Sequence, residues 1–234
     1  MVRSLFSLSF LFISINVYGV SFQRAKSILE ADIYPHGSSF YCECSYQGRA
    51  IKQGSCELYL SKQKKLQTTL EWEHIVPAHA FGQSFVEWRD HKKLCPKKNK
   101  GARKCARKLN KIFREMEGDL YNLVPSVGAV NRLRRNYSFA ELKPSKENQI
   151  CKNGFVLEGR KVMPPNSKKG DIARIYFYMN QKYPGHGIIS NKNKKLFNAW
   201  DLSDPVDEEE CLLNKLKAKM MKGENEFVSK RCRK

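Results

Sequence analysis

Glu71-Trp72-Glu73-His74-Ile75-Val76-Pro77-Ala78 decides how this 234-residue chain is read. Successive residues of an extended strand face opposite sides, so Glu73 and His74 can serve one site only where the backbone bends. Pro77, followed by Ala78-His79-Ala80-Phe81-Gly82, supplies such a break, because proline lacks a backbone donor and ends regular pairing. Further along, Glu117 to Asn131 adds carboxylates and asparagines among small and apolar residues. Oxygen donors of this kind suit a hard divalent cation that keeps most of its waters. Histidine, with an unperturbed pKa of about 6.5, suits a general base at neutral pH. Phosphodiester hydrolysis needs both parts: a base that deprotonates water, and a cation that stabilises charge on phosphorus and the leaving oxygen.

The charge balance points to the same partner. The chain carries 43 Lys+Arg against 23 Asp+Glu, a net charge of +20, and residues 1–19 contribute only Arg3 to it. Such an excess binds polyanions through counterion release, without sequence preference and with steep salt dependence. Met1 to Gly19 combine Arg3 with an apolar run from Leu5 to Val17 and the ending Val17-Tyr18-Gly19. That run is short for a membrane span and reads as a signal peptide removed after Gly19. The remainder, residues 20–234, has the length of one domain with a sizeable core. Its eight cysteines, an even count behind a signal peptide, are expected to form structural disulfides. Zinc is the rival, but there is no Cys-x-x-Cys pair, and Cys42 and Cys44 stand too close for finger spacing.

Four strings carry a family resemblance: Phe40 to Tyr46 (FYCECSY), Glu71 to Gly82 (EWEHIVPAHAFG), Glu117 to Asn131 (EGDLYNLVPSVGAVN) and Lys168 to Met179 (KKGDIARIYFYM). In this order and spacing, over roughly residues 22–228, the chain resembles the bacterial endonuclease I family of secreted and periplasmic nucleases. The resemblance implies a single mixed α+β domain, disulfide-bonded, with a ββα-metal (His-Me finger) site. It implies cleavage of DNA, and of RNA, with little sequence preference and 5′-phosphate products. His74 is then the general base. Glu73 and Asn131 hold Mg2+, with Mn2+ or Ca2+ as substitutes. Arg103 contacts the cleaved phosphate, with Arg107 as the alternative. Glu117 is a nearby carboxylate that holds metal-bound waters or orients its neighbours. Asn122 is a rival to Asn131, as a side-chain amide that could cap a helix or bridge a loop.

One departure stands out. Where the family commonly shows Gly-Asp-Arg after the metal-binding asparagine, this chain reads Arg132-Leu133-Arg134-Arg135-Asn136, which adds positive charge near the site and bears on substrate grip. An RNA-specialised relative, a non-catalytic DNA-capturing surface protein and a zinc hydrolase remain competing readings, the last needing more His or Cys ligands than the strings offer. The expected location is periplasmic or secreted, as a monomer.

Periodicity predicts a helix over 21–33, strands within 39–60 around a turn at Gln47-Gly48, and a loop before Gly101 pinned by Cys95. It predicts a helix over 102–116 with Leu109, Ile112, Phe113 and Met116 inward. A short helix opened by Pro125 or Ser126 is expected to carry Asn131. A strand over 155–157 and helices over 171–182 and 205–222 complete the reading; Arg174 is as suited to a structural ion pair as to phosphate contact.

Overall fold

A computed structural model describes residues 19–61, 64–96 and 101–232; most of the expected signal peptide lies outside them. Leu70–His74 pairs antiparallel with Leu123–Val127, and Gly128–Arg134 follows at once as a helix. Leu70, Leu123 and Val127 are buried, and each such side chain stabilises the packed state by about 2 kcal/mol. Glu73 lies opposite Val124 and His74 opposite Leu123, so the strand delivers both polar residues at its last two positions. Pro125 and Ser126 belong to the second strand rather than opening the helix. Pro125 pairs with Trp72, and its carbonyl accepts from the Phe40 amide at 2.8 Å. A two-stranded ribbon has only edges, which is where a strand tolerates a proline.

Two further sheets frame this ribbon. His36–Ser38, Ser45–Gln47 and Ala50–Ile51 form an antiparallel meander, turning at Gly48 with φ of +54°. Ser138–Phe139, Lys161–Met163, Phe155–Glu158 and Gln149–Cys151 form the second sheet in that order, its first pair parallel. The strands expected at Phe40–Cys42 and at 56–60 are absent. Phe40, Tyr41 and Cys42 are all buried in a turn, so burial there follows disulfide anchoring rather than alternation.

The basic stretch also differs from its expectation. Val86–Arg89 and His91–Leu94 are short helices where a loop was expected; residues 97–100 lie outside the described ones. The helix expected over 102–116 is two, Ala102–Leu109 and Lys111–Glu117, broken at Asn110, whose side chain accepts from the Phe113 amide at 2.9 Å. An asparagine cap restarts a helix because it satisfies an orphan backbone donor. The break resets the helical phase: Phe113 and Met116 face the core, whereas Leu109 and Ile112 are exposed. At the other end Lys169–Lys182 packs on Asn191–Ser203, with Ile172 and Met179 inward. Arg174 is fully buried and pairs with Asp171, Asp201 and Glu210, which makes it a structural residue. Among the described residues no helix is long and apolar enough to cross a membrane.

All eight cysteines are bridged: Cys42–Cys151, Cys44–Cys56, Cys95–Cys105 and Cys211–Cys232. No thiolate is left for zinc. Cys42–Cys151 closes the longest loop, 109 residues, and sets Tyr41 against Phe155 in a stacked pair. Cross-linking a loop of this length removes unfolded-state entropy worth about 4–5 kcal/mol. Replacing both cysteines by serine is therefore expected to lower the unfolding free energy by that order, read as a lower midpoint in urea with a steeper slope, because the unfolded chain without the cross-link exposes more surface. A midpoint equal to that of the parent protein would refute the expectation.

Candidate active site

A cavity of about 510 Å³ opens beside the end of the Leu70–His74 strand and the Gly128–Arg134 helix. Glu71, Glu73, His74, Arg103, Asn131 and Arg134 all line it, with Lys26, Arg49 and Arg135 adding positive charge at its wall. Glu73 and His74 share this one space because regular pairing ends at His74. Asn122 fixes the exit: its Oδ1 accepts from the Val76 amide at 2.7 Å and its Nδ2 donates to the Val76 carbonyl at 3.0 Å. Asn122 is thus the bridge across the chain break, fully buried and spent on backbone.

His74 has one defined tautomer. Its Nε2 lies 2.9 Å from the Glu117 carbonyl oxygen, which can only accept, so Nε2 carries the proton. Nδ1 keeps its lone pair and makes no hydrogen bond to a described residue. Burial and then the Arg103 charge depress the ring to about 3, so it is neutral and able to accept a proton at physiological pH. Phe22 packs on the ring with centroids 5.0 Å apart.

Glu73 is held from one side. The Tyr41 hydroxyl donates to Oε1 at 3.2 Å, and Arg134 Nε stands 3.2 Å from the same oxygen. No side chain among the described residues donates to Oε2, although the His74 backbone amide also bonds this carboxyl. Burial pushes this carboxyl up to about 7, against the lowering effect of Arg134 and Tyr41. Asn131, on the first turns of the helix, donates from Nδ2 to Glu71 Oε2 at 3.0 Å, leaving Oδ1 free of protein partners. Glu73 Oε2 and Asn131 Oδ1, to which no described side chain donates, fit a hard cation that retains waters. Among the described residues no three His, Cys, Asp or Glu side chains gather as a thiolate or imidazole metal would require.

Glu117 stands behind this surface. Arg103 Nε meets its Oε1 at 2.6 Å, and Arg107 Nε and Nη2 meet Oε2 and Oε1 at 2.6 Å each. Both carboxylate oxygens are taken by arginines and the side chain is fully buried, so its reach is to its neighbours. Burial raises the Glu117 carboxyl, but the Arg107 and Arg103 guanidinium groups outweigh it and hold it below the usual carboxylate range. Arg103 lines the cavity, whereas Arg107 sits behind it; Arg103 Nη2 is buried with no protein partner.

The family model of endonuclease I matches residues 20–232. The chain belongs to the endonuclease I family. An extracellular deoxyribonuclease of Aeromonas hydrophila is 36% identical over 227 residues, covering 94% of each chain. Endonuclease-1 of Buchnera aphidicola subsp. Acyrthosiphon pisum is 36% identical over 91% of this chain and 82% of its own. A periplasmic deoxyribonuclease of Aeromonas hydrophila is 33% identical over 91% of this chain and 86% of its own.

Within this endonuclease I fold, the residue sequence reasoning missed is Arg134. The run Arg132 to Arg135 reads as substrate grip, yet Arg134 is 1% exposed, donates to the His74 carbonyl at 3.0 Å and to the Ile75 carbonyl at 2.6 Å, and faces Glu73. Helical spacing held the signal: Arg134 lies four residues after Val130 and so on the buried face. Arg132, by contrast, is exposed, and Arg135 reaches the cavity from a strained backbone with φ of +51°. Tyr41 was equally hidden, because a hydroxyl thirty-two residues from its partner leaves no local pattern.

Proposed function

We propose that this endonuclease I family member is a metal-dependent endonuclease. It hydrolyses phosphodiester bonds in DNA, and also in RNA, with little sequence preference, and leaves 5′-phosphate ends. The observation that carries the reading is His74: one nitrogen is fixed on a backbone carbonyl, and the other is free in a cavity shared with two unoccupied oxygen donors and Arg103. The relatives are named as deoxyribonucleases, which favours DNA as the principal substrate. Their extracellular and periplasmic names, with four disulfides here, place the protein outside the cytoplasm, and residues 1–19 fit the export signal.

In this mechanism His74 Nδ1 takes a proton from the attacking water, while the Glu117 carbonyl holds Nε2–H and so keeps the ring oriented. Arg103 binds the scissile phosphate, its planar guanidinium matching two phosphate oxygens. Glu117 and Arg107 position Arg103 from behind. Glu73 and Asn131 would hold Mg2+, or Mn2+ or Ca2+ in its place. When bound, such an ion supplies charge stabilisation at the phosphoryl and leaving oxygens. The surrounding lysines and arginines draw in the backbone of the substrate whatever its sequence.

Arg103→Ala is expected to lower kcat/KM on plasmid by about 10- to 150-fold, the equivalent of about 1.5–3 kcal/mol for a charge-assisted contact. Arg107→Ala should cost roughly tenfold less, because Arg103 still holds Glu117. The reverse ranking would transfer the phosphate contact to Arg107. The proposal as a whole is tested with oxidised protein on supercoiled plasmid and on single-stranded RNA, with Mg2+ or EDTA. Metal-dependent nicking is expected; tight binding with no cleavage under any divalent ion would convert the protein into a DNA-capturing one. The ratio of DNA to RNA rates decides between a general nuclease and an RNA-specialised one.

A further inference from the structure

An asparagine is an ambiguous metal ligand, because rotating its amide by half a turn exchanges an oxygen that can coordinate for an NH2 that repels a cation. In this chain the choice is made by a neighbour. Asn131 Nδ2 donates to Glu71 Oε2 at 3.0 Å, and a carboxylate can only accept. The amide is therefore locked with Oδ1 turned away from Glu71. Glu71 is itself well placed for this task. It lies two residues before Glu73 on the same strand face, opposite Ser126, and its other oxygen is 3.8 Å from Arg132 Nη2. Its stem lies close along Gly128, where an added Cβ would come within 3.2 Å of Glu71 Cγ. The glycine that begins the helix thus leaves room for the carboxylate to reach Asn131 across the strand-helix joint.

We infer that Glu71 is a positioning residue that fixes the flip of the Asn131 amide, presenting Oδ1 to the divalent cation. The inference rests on the proposed reading of Glu73 and Asn131 as the cation's protein ligands. It assigns different work to the two glutamates of the strand: Glu73 offers an oxygen, and Glu71 offers an acceptor to another ligand. Partners behind a metal ligand typically carry 10–100-fold of metal affinity or activity.

The test is Mn2+ binding to oxidised protein without nucleic acid, followed by the electron paramagnetic resonance signal of free Mn2+. Glu71→Gln, whose amide offers a donor as well as an acceptor and so no longer fixes the flip, should weaken binding about 10- to 100-fold with an unchanged near-ultraviolet circular dichroism spectrum, and Glu71→Asp, which offers acceptors only, should recover most of the loss. The discriminating background is Asn131→Asp, whose carboxylate has two equivalent oxygens and no wrong end. There, Glu71→Gln should cause no comparable weakening. Equal loss in both backgrounds would show that Glu71 acts only through its charge and would overturn the inference. So would unchanged Mn2+ affinity of Glu71→Gln in a protein whose binding is abolished by Glu73→Gln. A parent protein that binds no Mn2+, or one indifferent to Glu73→Gln, would instead overturn the reading of the cation site itself.

Discussion

Replacing His74 by alanine is expected to lower plasmid cleavage by about 100- to 10,000-fold, the range that a positioned general base contributes. Binding of DNA in the presence of Ca2+ should change little, because the basic side chains around the cavity are untouched by the substitution. The structural cost is confined to one hydrogen bond to the Glu117 carbonyl and the ring packing on Phe22. Adding imidazole to His74→Ala should return part of the rate, since the vacated volume lies beside the point where Nδ1 takes its proton. A variant retaining turnover within tenfold of the parent would remove His74 from the base role. Loss of binding in parallel with turnover would make the residue a scaffold for the Phe22 and Glu117 contacts instead.

That His74 could be singled out from sequence while Arg134 could not follows from how each is encoded. Glu73-His74 before Pro77 is a local pattern: a polar pair at a strand end, read within a few residues. The pairing of this strand with Leu123–Val127 was not read, because Pro125 or Ser126 was expected to open a helix and no single string contains both halves. Arg134 and Tyr41 meet at Glu73 from sixty-one residues on one side and thirty-two on the other, and although the spacing from Val130 puts Arg134 on the buried face, nothing local names Glu73 as its partner. The expectation for Leu109 and Ile112 failed for a related reason. A continuous helix extrapolates its apolar face past Asn110, but a capping side chain that satisfies its own backbone donor restarts the phase. The four disulfides were expected as a set, while their connectivity needed the fold to bring Cys42 to Cys151 across 109 residues.

Glu73 separates two roles that one substitution would confuse. Glu73→Gln keeps the shape and an oxygen for the Tyr41 hydroxyl, but removes the charge that favours a divalent ion. It is expected to abolish Mg2+-dependent cleavage and to shift the metal titration, with a smaller loss of thermal stability than alanine causes, because the amide oxygen still faces Arg134 and Tyr41 although the ion pair is lost. Glu73→Ala should lose the same activity and, in addition, leave Arg134, 1% exposed, with neither a counter-charge nor an oxygen facing it. Breaking a buried pair from one side costs about 3–5 kcal/mol, on the order of 10 °C in Tm for a chain of this size. Tm and the Mg2+ titration measured on both variants then separate three outcomes. Activity lost in both, with stability lost in both and more in alanine, assigns Glu73 to the cation and to Arg134 together. Normal activity in Glu73→Gln with loss in Glu73→Ala would leave only the structural pairing, and the cation would have to be sought elsewhere in the cavity. An unchanged metal titration in both would remove Glu73 as a ligand outright, and because Arg134 also holds the His74 and Ile75 carbonyls, stability loss in the alanine variant would then trace to that arginine.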